Sequence, residues 1–291
     1  MKNIFGSFLI LAFSIHVHGQ DTEKKWQPYA ELNFTTIPTT NISGTDTLFQ
    51  NTLSITPSIG IRNQNGFGLV YAPSFITGGQ NSGIFMHTVT VGFEQYDKKK
   101  FDFIADYNHF FFTGNTSIPF TPIRNEIILG ATYKKLWLMP KLYTSLGFGT
   151  NKEVSPSSTA YDIYFAAGVS HSFGWDNDNF SFNITPSVML NAGTNEYFSF
   201  QGLSKYISHN KKFNKIVKNY HGKNNRGNPN NQPGNTSTAQ HLSISNLELN
   251  LESSLEMGSF TLRPSGSLFF PTSSSGSGID GYWELTIAYN F

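Results

Sequence analysis

The sequence predicts an all-β fold: a transmembrane antiparallel up-and-down β-barrel of about 12 strands. Three observations carry that expectation. Apolar residues recur with a period of two from Trp26 to the last residue, the composition is aromatic-rich and charge-poor, and short connections alternate with long ones. Aromatic residues make up 15% and charged residues 13% of the 291 residues, whereas a soluble domain carries about a quarter charged. Strands with one apolar face and one face of Ser, Thr, Asn and Gly account for both figures.

Taken in order, the faces expected to point outward are Ala30, Leu32, Phe34; Leu53, Ile55, Ile59, Ile61; Phe67, Leu69, Tyr71, Phe75; and Phe85, Val89, Val91, Phe93. The series continues with Phe101, Phe103, Ala105, Tyr107, Phe111; Ile127, Leu129, Ala131, Tyr133; and Leu138, Leu142, Leu146, Phe148. It ends with Tyr161 to Phe173; Phe180 to Leu190; Leu247, Leu249, Leu251, Leu255; Phe260, Leu262, Leu268, Phe270; and a closing strand with Trp283, Leu285, Ile287, Tyr289 and Phe291 on one face. The short connections are Asn63 to Asn65, Asp97 to Lys100, Lys134 to Lys135, Gly174 to Asn179 and Met257 to Gly258. Between them lie longer ones: Pro38 to Thr52, Ile76 to Gly83, Thr113 to Ile123, Thr150 to Thr159, Thr194 to His241 and Pro271 to Gly281. Short periplasmic turns and long extracellular loops, with both termini in the periplasm, give this pattern. Aromatics near both ends of the strands, among them Phe101, Tyr133 and Phe260 at one rim and Phe75, Phe85, Phe111 and Trp283 at the other, form two expected girdles. Pro57, Pro73, Pro140, Pro186 and Pro264 all fall in the outward phase and are expected at bulges or bends, since proline cannot donate to a ladder.

Residues 1–19 have the charged start, apolar stretch and small final residue of a secretory signal peptide, leaving 20–291 for the barrel. No Cys is present, which excludes a disulfide scaffold, thiolate chemistry and a Cys-linked lipid anchor. The formal charge of +1 hides a division. A long extracellular loop at about 194–241 carries Lys205, Lys211, Lys212, Lys215, Lys218, Lys223 and Arg226 with no acid from Lys205 to Arg226, while the rest beyond Lys2 sets 12 basic residues against 19 acidic ones, a net of −7.

The closing strand GYWELTIAYNF, and the strand-turn-strand LELNLESSLEMGSFTLRPSGSLFFP before it, resemble Gram-negative outer-membrane β-barrel proteins. That resemblance covers everything after the signal. It implies the cell outer membrane as location, Tyr289 and Phe291 as an assembly signal read by the barrel-assembly machinery, and outer-membrane lipid as the surrounding partner. It specifies an architecture and leaves function open, because unrelated channels, enzymes and adhesins share it.

Inward positions collect the titratable groups. Glu31, Asp102, Asp106, Glu126, Asp162, Glu248, Glu252, Arg263 and Glu284 are the expected lumen lining, with Glu94, Arg62, Lys134 and Lys141 in the same phase. They form either a cation-preferring acidic lumen or a set of cross-strand pairs that fill a closed barrel. A tight turn at Met257-Gly258 would place Glu252 opposite Arg263. Outer-membrane phospholipases and lipid A deacylases, which the size resembles, use a His and a Ser at the outer surface. Here Ser170-His171-Ser172 puts neighbours on opposite faces near the periplasmic rim, so no catalytic residue is expected. His209, His221 and His241 lack a ligand spacing, so no metal or other cofactor is expected, and the aromatics in the basic run, Tyr206, Phe213 and Tyr220, are too few for nucleic acid.

The expected function is therefore a porin-like channel or diffusion facilitator for small solutes, with no enzymatic activity. The alternatives are a filled barrel whose cationic loop binds an anionic surface polymer, lipid or a partner protein, and a surface lipid-modifying enzyme.

Overall fold

The computed structural model describes residues 26–43, 46–78, 82–96, 100–114, 121–150, 159–194, 242–272 and 279–291. The expected signal peptide and all seven basic residues from Lys205 to Arg226 lie outside the described residues. Every regular element described is a strand: β1 (Trp26–Ser43), β2 (Asp46–Asn63), β3 (Phe67–Ile76), β4 (Gly83–Gln95), β5 (Phe101–Phe112), β6 (Ile123–Tyr133), β7 (Met139–Thr150), β8 (Thr159–Ser170), β9 (Phe173–Asp176), β10 (Ser181–Gly193), β11 (Ser243–Met257), β12 (Phe260–Pro271) and β13 (Asp280–Asn290). Each pairs antiparallel with its neighbour, β8 and β9 both pair with β10, and β13 returns to β1. Because β8 and β9 share one register against β10, they occupy a single position, and the barrel is closed by twelve strands.

Alternation sorts the side chains as the sequence requires. Ile59, Leu69, Val91, Phe103, Leu129, Leu146, Ile163, Leu190, Leu249, Leu268 and Ile287 are exposed on the outside, and the belt they form runs round the whole barrel. An exposed apolar surface of that extent is untenable in water and is what a lipid-embedded barrel presents. At the short-turn end the aromatic girdle is dense. Phe67 packs on Phe93 at 5.0 Å, Phe101 on Tyr133 at 4.9 Å, and Phe260, Tyr289 and Phe291 stack in sequence at 4.8 Å each. The Phe291 N–H donates to the Pro28 carbonyl (3.2 Å), tying the chain end to β1 across the closing seam.

Four expectations need correction. The connection expected from Pro38 to Thr52 is a paired hairpin, from Pro38↔Asn51 out to Ser43↔Asp46, because the β-forming residues Thr39, Thr40, Ile42, Thr47, Leu48 and Phe49 extend the ladder. The strand expected to begin at Leu138 begins at Met139, and Leu136, Trp137 and Leu138 lie in the turn. There Trp137 packs against His171, whose Nδ1 is 2.6 Å from the Trp137 carbonyl oxygen, an interfacial role for that histidine.

Phe85 does not join the outer girdle: it is 2% exposed, inside the barrel. The register of β3 against β4 shifts from Ser74↔Met86 to Phe75↔Ile84, so Phe85 is the extra residue of a bulge and Ile84 takes the outward place. The prolines, by contrast, are not at bulges. Pro57 and Pro73 occupy facing positions in the gap between Ile55↔Phe75 and Ile59↔Tyr71, so two residues without N–H groups spend their deficit on each other. Pro186 faces the break between β8 and β9, where its carbonyl accepts from the His171 N–H (3.1 Å), and Pro264 lies at the interruption between Glu252↔Ser265 and Leu255↔Leu262. In each case the ladder skips a rung and keeps its register.

Replacing Tyr289 and Phe291 with Ser removes the aromatic stack at the β12–β13–β1 seam. The expected result is a protein that is exported but fails to acquire the heat-modifiable gel mobility of a folded barrel; wild-type mobility for the double variant would show that the seam closes without these rings.

Candidate functional site: the barrel lumen

The inward faces build two packed clusters and a cavity, and one cluster, Ile76, Phe85, Met86 and Phe110 with Ile37 and Phe112 against it, lies on β1 to β5. Along β6 to β12 the side chains pack. Tyr164, Ala166, Met189 and Phe269 form a buried cluster with Tyr143 and Tyr282 against it. Polar residues fill the space beside it in hydrogen-bonded sets. Glu248 accepts from Ser267 Oγ (2.6 Å) and from Asn191 Nδ2 (3.2 Å), Glu126 accepts from Ser145 Oγ (2.5 Å), and Asp162 accepts from Thr194. Glu126 and Glu248 are wholly buried. Carboxylates so enclosed belong to the packed wall, each with at least one oxygen committed to a neighbouring donor.

Along β1 to β5 the interior opens into a cavity of about 660 Å³, bounded near the short-turn end by Tyr29 and Tyr96 and toward the other end by Ile37 and Phe85. Of the expected lumen residues, Glu31, Asp106, Glu252, Arg263 and Glu284 meet on this cavity, joined by Arg62, Glu94 and Lys141. Asp102, Glu126, Asp162 and Glu248 do not line it. Asp102 instead pairs with Lys134 Nζ (2.5 Å) at the short-turn rim.

The charges are paired across intervening strands. Arg62 on β2 reaches over β3 to Glu94 on β4, and Arg263 on β12 reaches over β13 to Glu31 on β1. Lys141 Nζ lies 3.8 Å from a Glu252 oxygen, although β8 and β10 separate their strands. Glu284 has no cation but accepts from Asn33 Nδ2 (2.6 Å) and Tyr282 Oη (2.9 Å). The expected Glu252–Arg263 pair is absent. The hairpin turns on Gly258 and Ser259, with Gly258 at φ 58°, so Met257 faces Phe260 and Glu252 faces Ser265. A tight turn placed one residue later moves every facing position on the opposite strand by two.

One device in the wall leaves little trace in the pattern of charges. Inward glycines stand directly opposite large side chains: Gly60 opposite Tyr29, Gly92 opposite Asp106, and Gly130 opposite Tyr143. A Cβ at Gly60 would come within 2.7 Å of the Tyr29 ring, one at Gly130 would meet the Tyr143 ring at 2.5 Å, and one at Gly92 would fall on Asp106 Oδ1. Each long side chain therefore lies flat along its neighbour's bare backbone. An inward glycine within a strand is the sequence signal for such a close approach, but its partner is named only by the register.

The outer surface holds a second feature outside the expected set. Tyr71 Oη is 2.7 Å from His87 Nδ1, and Tyr107 Oη and His109 Nδ1 both meet Asn125 Oδ1 at 2.7 Å, all on outward positions of β3 to β6. These polar groups satisfy one another within the apolar belt.

A closed antiparallel barrel with an apolar exterior and a charged interior is the architecture of outer-membrane β-barrel proteins, and this chain has it. No protein-family model matches the sequence, and no curated protein resembles it. Solved structures similar in shape include the COG4313 outer membrane channel from Pseudomonas putida (9% identity, 94% of this chain and 100% of that chain covered, TM-score 0.43). A bacterial polysaccharide outer membrane secretin (9% identity, 91% and 98%, TM-score 0.40) and the translocator domain of autotransporter NalP from Neisseria meningitidis (10% identity, 100% and 96%, TM-score 0.33) are further examples. The assignment rests on the closed sheet and its belt.

Glu31→Arg and Arg263→Glu each leave two like charges facing across β13. Either change alone should lower the urea midpoint of the refolded barrel, corresponding to a loss of unfolding free energy of no more than about 1 kcal/mol given the solvent access of the pair, and the combined swap should recover most of the loss. Glu252→Arg combined with Arg263→Glu should instead show additive losses, since those two residues face different partners. Recovery in the second double variant and not the first would reverse the pairing.

Proposed function

We infer that this protein is a monomeric channel for small solutes that favours cations, with its termini in the periplasm and its long loops outside. The observation that carries this reading is the cavity along β1 to β5, lined by the carboxylates Glu31, Glu94, Asp106, Glu252 and Glu284 against three cations. Low-dielectric walls strengthen the field of the surplus negative charge and raise the local concentration of positive solutes. Fixed ion pairs across the wall give alternating charged stations within the cavity. A general acid and base aimed at a shared substrate position is not assembled there, since the carboxylates are committed to cations or neutral donors with the exception of Asp106. The reading thus sets the channel ahead of a surface lipid-modifying enzyme.

The basic residues Lys205 to Arg226 enter as a second element of the proposal. Seven positive charges tethered to a barrel of opposite sign have an electrostatic reason to sit over its acidic interior, and would then narrow the path for cations. The competing use of the same charges is adhesion to an anionic surface polymer.

Planar-bilayer recordings with asymmetric KCl test the channel and the loop together. Discrete conductance steps are expected, with a reversal potential on the cation-selective side. Deleting residues 205–234 should raise the conductance and strengthen the cation preference, with the contrast shrinking at high salt. A silent bilayer from folded, heat-modifiable protein would reject the channel. Conductance unchanged by the deletion would leave the loop to surface binding.

A further inference from the structure

The lumen is wet at one end and dry at the other. At the short-turn end the cavity's charges meet solvent, and the side chains of Glu31, Arg62, Glu94, Glu252 and Arg263 are 23 to 47% exposed. In the long-loop half, every strand from β2 to β12 apart from the short β9 carries an inward residue no more than 3% exposed, among them Ser54, Ser74, Met86, Phe110, Tyr164 and Phe269. A water-filled path through that half would wet the residues along its margin.

The two apolar clusters occupy the dry half. Ile37, Phe85 and Met86 line the end of the cavity, while Ile76, Phe110 and Phe112 of the same cluster lie off it. On the facing wall Tyr143, Met189 and Tyr282 line the cavity, while Tyr164, Ala166 and Phe269 lie off it. Each cluster therefore has one side on the cavity and its bulk behind. Ile37 on β1 and Tyr282 on β13 carry the two clusters up to the closing seam from either side. The contribution of β4 depends on its bulge. Phe85 and Met86 are successive residues and both are buried inside, which a regular strand cannot arrange because its neighbours alternate between faces.

From this arrangement we propose that the lumen is closed in its long-loop half by an apolar seal built on the β4 bulge, and that solutes reach the cavity only from the short-turn side. Hydrophobic constrictions stop ions by excluding the water that must accompany them. The acidic cavity then acts as a vestibule in which cations gather without passing until the seal parts. Phe85 is the residue whose loss disturbs the sheet least, since its removal leaves Ser74↔Met86 and Phe75↔Ile84 as successive rungs. As a gate the seal rests on the channel reading, but as a closed end to the vestibule it does not require conduction.

Two measurements separate the two claims. The sequence contains no Cys, so single cysteines report on water access. In the folded barrel a cationic methanethiosulfonate should modify Ser58→Cys, on the cavity, on the order of a hundredfold faster than Ala166→Cys, behind the seal, where reaction needs a local opening. In urea the two variants should react alike. In bilayers, wild-type openings should be brief, and deleting Phe85 should raise the mean current by about tenfold. Phe85→Ser, which keeps the chain length, should act in the same direction, and Phe85→Leu, which keeps the seal apolar, should stay near wild type; heat-modifiable gel mobility identifies the variants that fold. Equal labelling of Ser58→Cys and Ala166→Cys in folded protein, or a wild-type current as large as that of the folded deletion and Phe85→Ser, would overturn the seal. Slow labelling of Ala166→Cys together with silence from wild type and the folded Phe85 variants alike would uphold the seal and sink the channel.

Discussion

Everything in this molecule depends on the seam between β1 and β13. In hydrocarbon an unpaired backbone N–H or C=O has no water to turn to, so a sheet with two free edges cannot remain there. The register from Tyr29↔Asn290 to Thr35↔Glu284 removes both edges at once. It also joins residues 249 to 261 positions apart, so closure is the longest loop the chain must form. That the seam is reinforced by the Phe291 N–H bond to the Pro28 carbonyl and, on the inside, by Asn33–Glu284 and Arg263–Glu31 follows from this burden. The same few strands close the barrel and contribute charge to the cavity.

Closure also governs the prolines. A missing N–H is tolerable in a loop and unfavourable in a sheet surrounded by lipid, so five outward prolines look like defects when each is considered alone. In the folded barrel the deficit is shared: Pro57 and Pro73 take the same gap, while Pro186 and Pro264 sit where the ladder skips without slipping. The true bulges, at Phe85, Arg124 and Ser245, lie toward the long-loop ends, where a strand can bend without disturbing the belt.

The face each side chain takes was legible in the sequence because the period of two is a property of the strand itself and lipid demands it of every strand. Thus the belt from Ile59 to Ile287 and the inward phase of the charged residues could be read from spacing alone. Phe85 broke the rule because a bulge adds a residue without any change in composition. Register was not legible. It depends on which residues form a turn, and the difference between a turn at Met257-Gly258 and one at Gly258-Ser259 separates a Glu252–Arg263 pair from the observed Glu31–Arg263 pair. Partners such as Lys141 and Glu252, which reach past two strands, lie beyond any local reading, since only the curvature of the closed barrel brings them near.

A twelve-strand barrel is small enough that ordinary inward side chains can fill it, and along β6 to β12 they do so. On the β1 to β5 side Ile76, Phe85, Met86 and Phe110 fill the long-loop end, and the remainder stays open because the wall there is thin at chosen points. Tyr29 and Asp106 lie on Gly60 and Gly92 instead of crossing the lumen, and Arg62 spans Gly68 to reach Glu94. The glycines thereby set how far these long side chains stand into the cavity. Volume in the cavity is controlled less by the size of the residues that point inward than by the absence of a Cβ on the strand beside them.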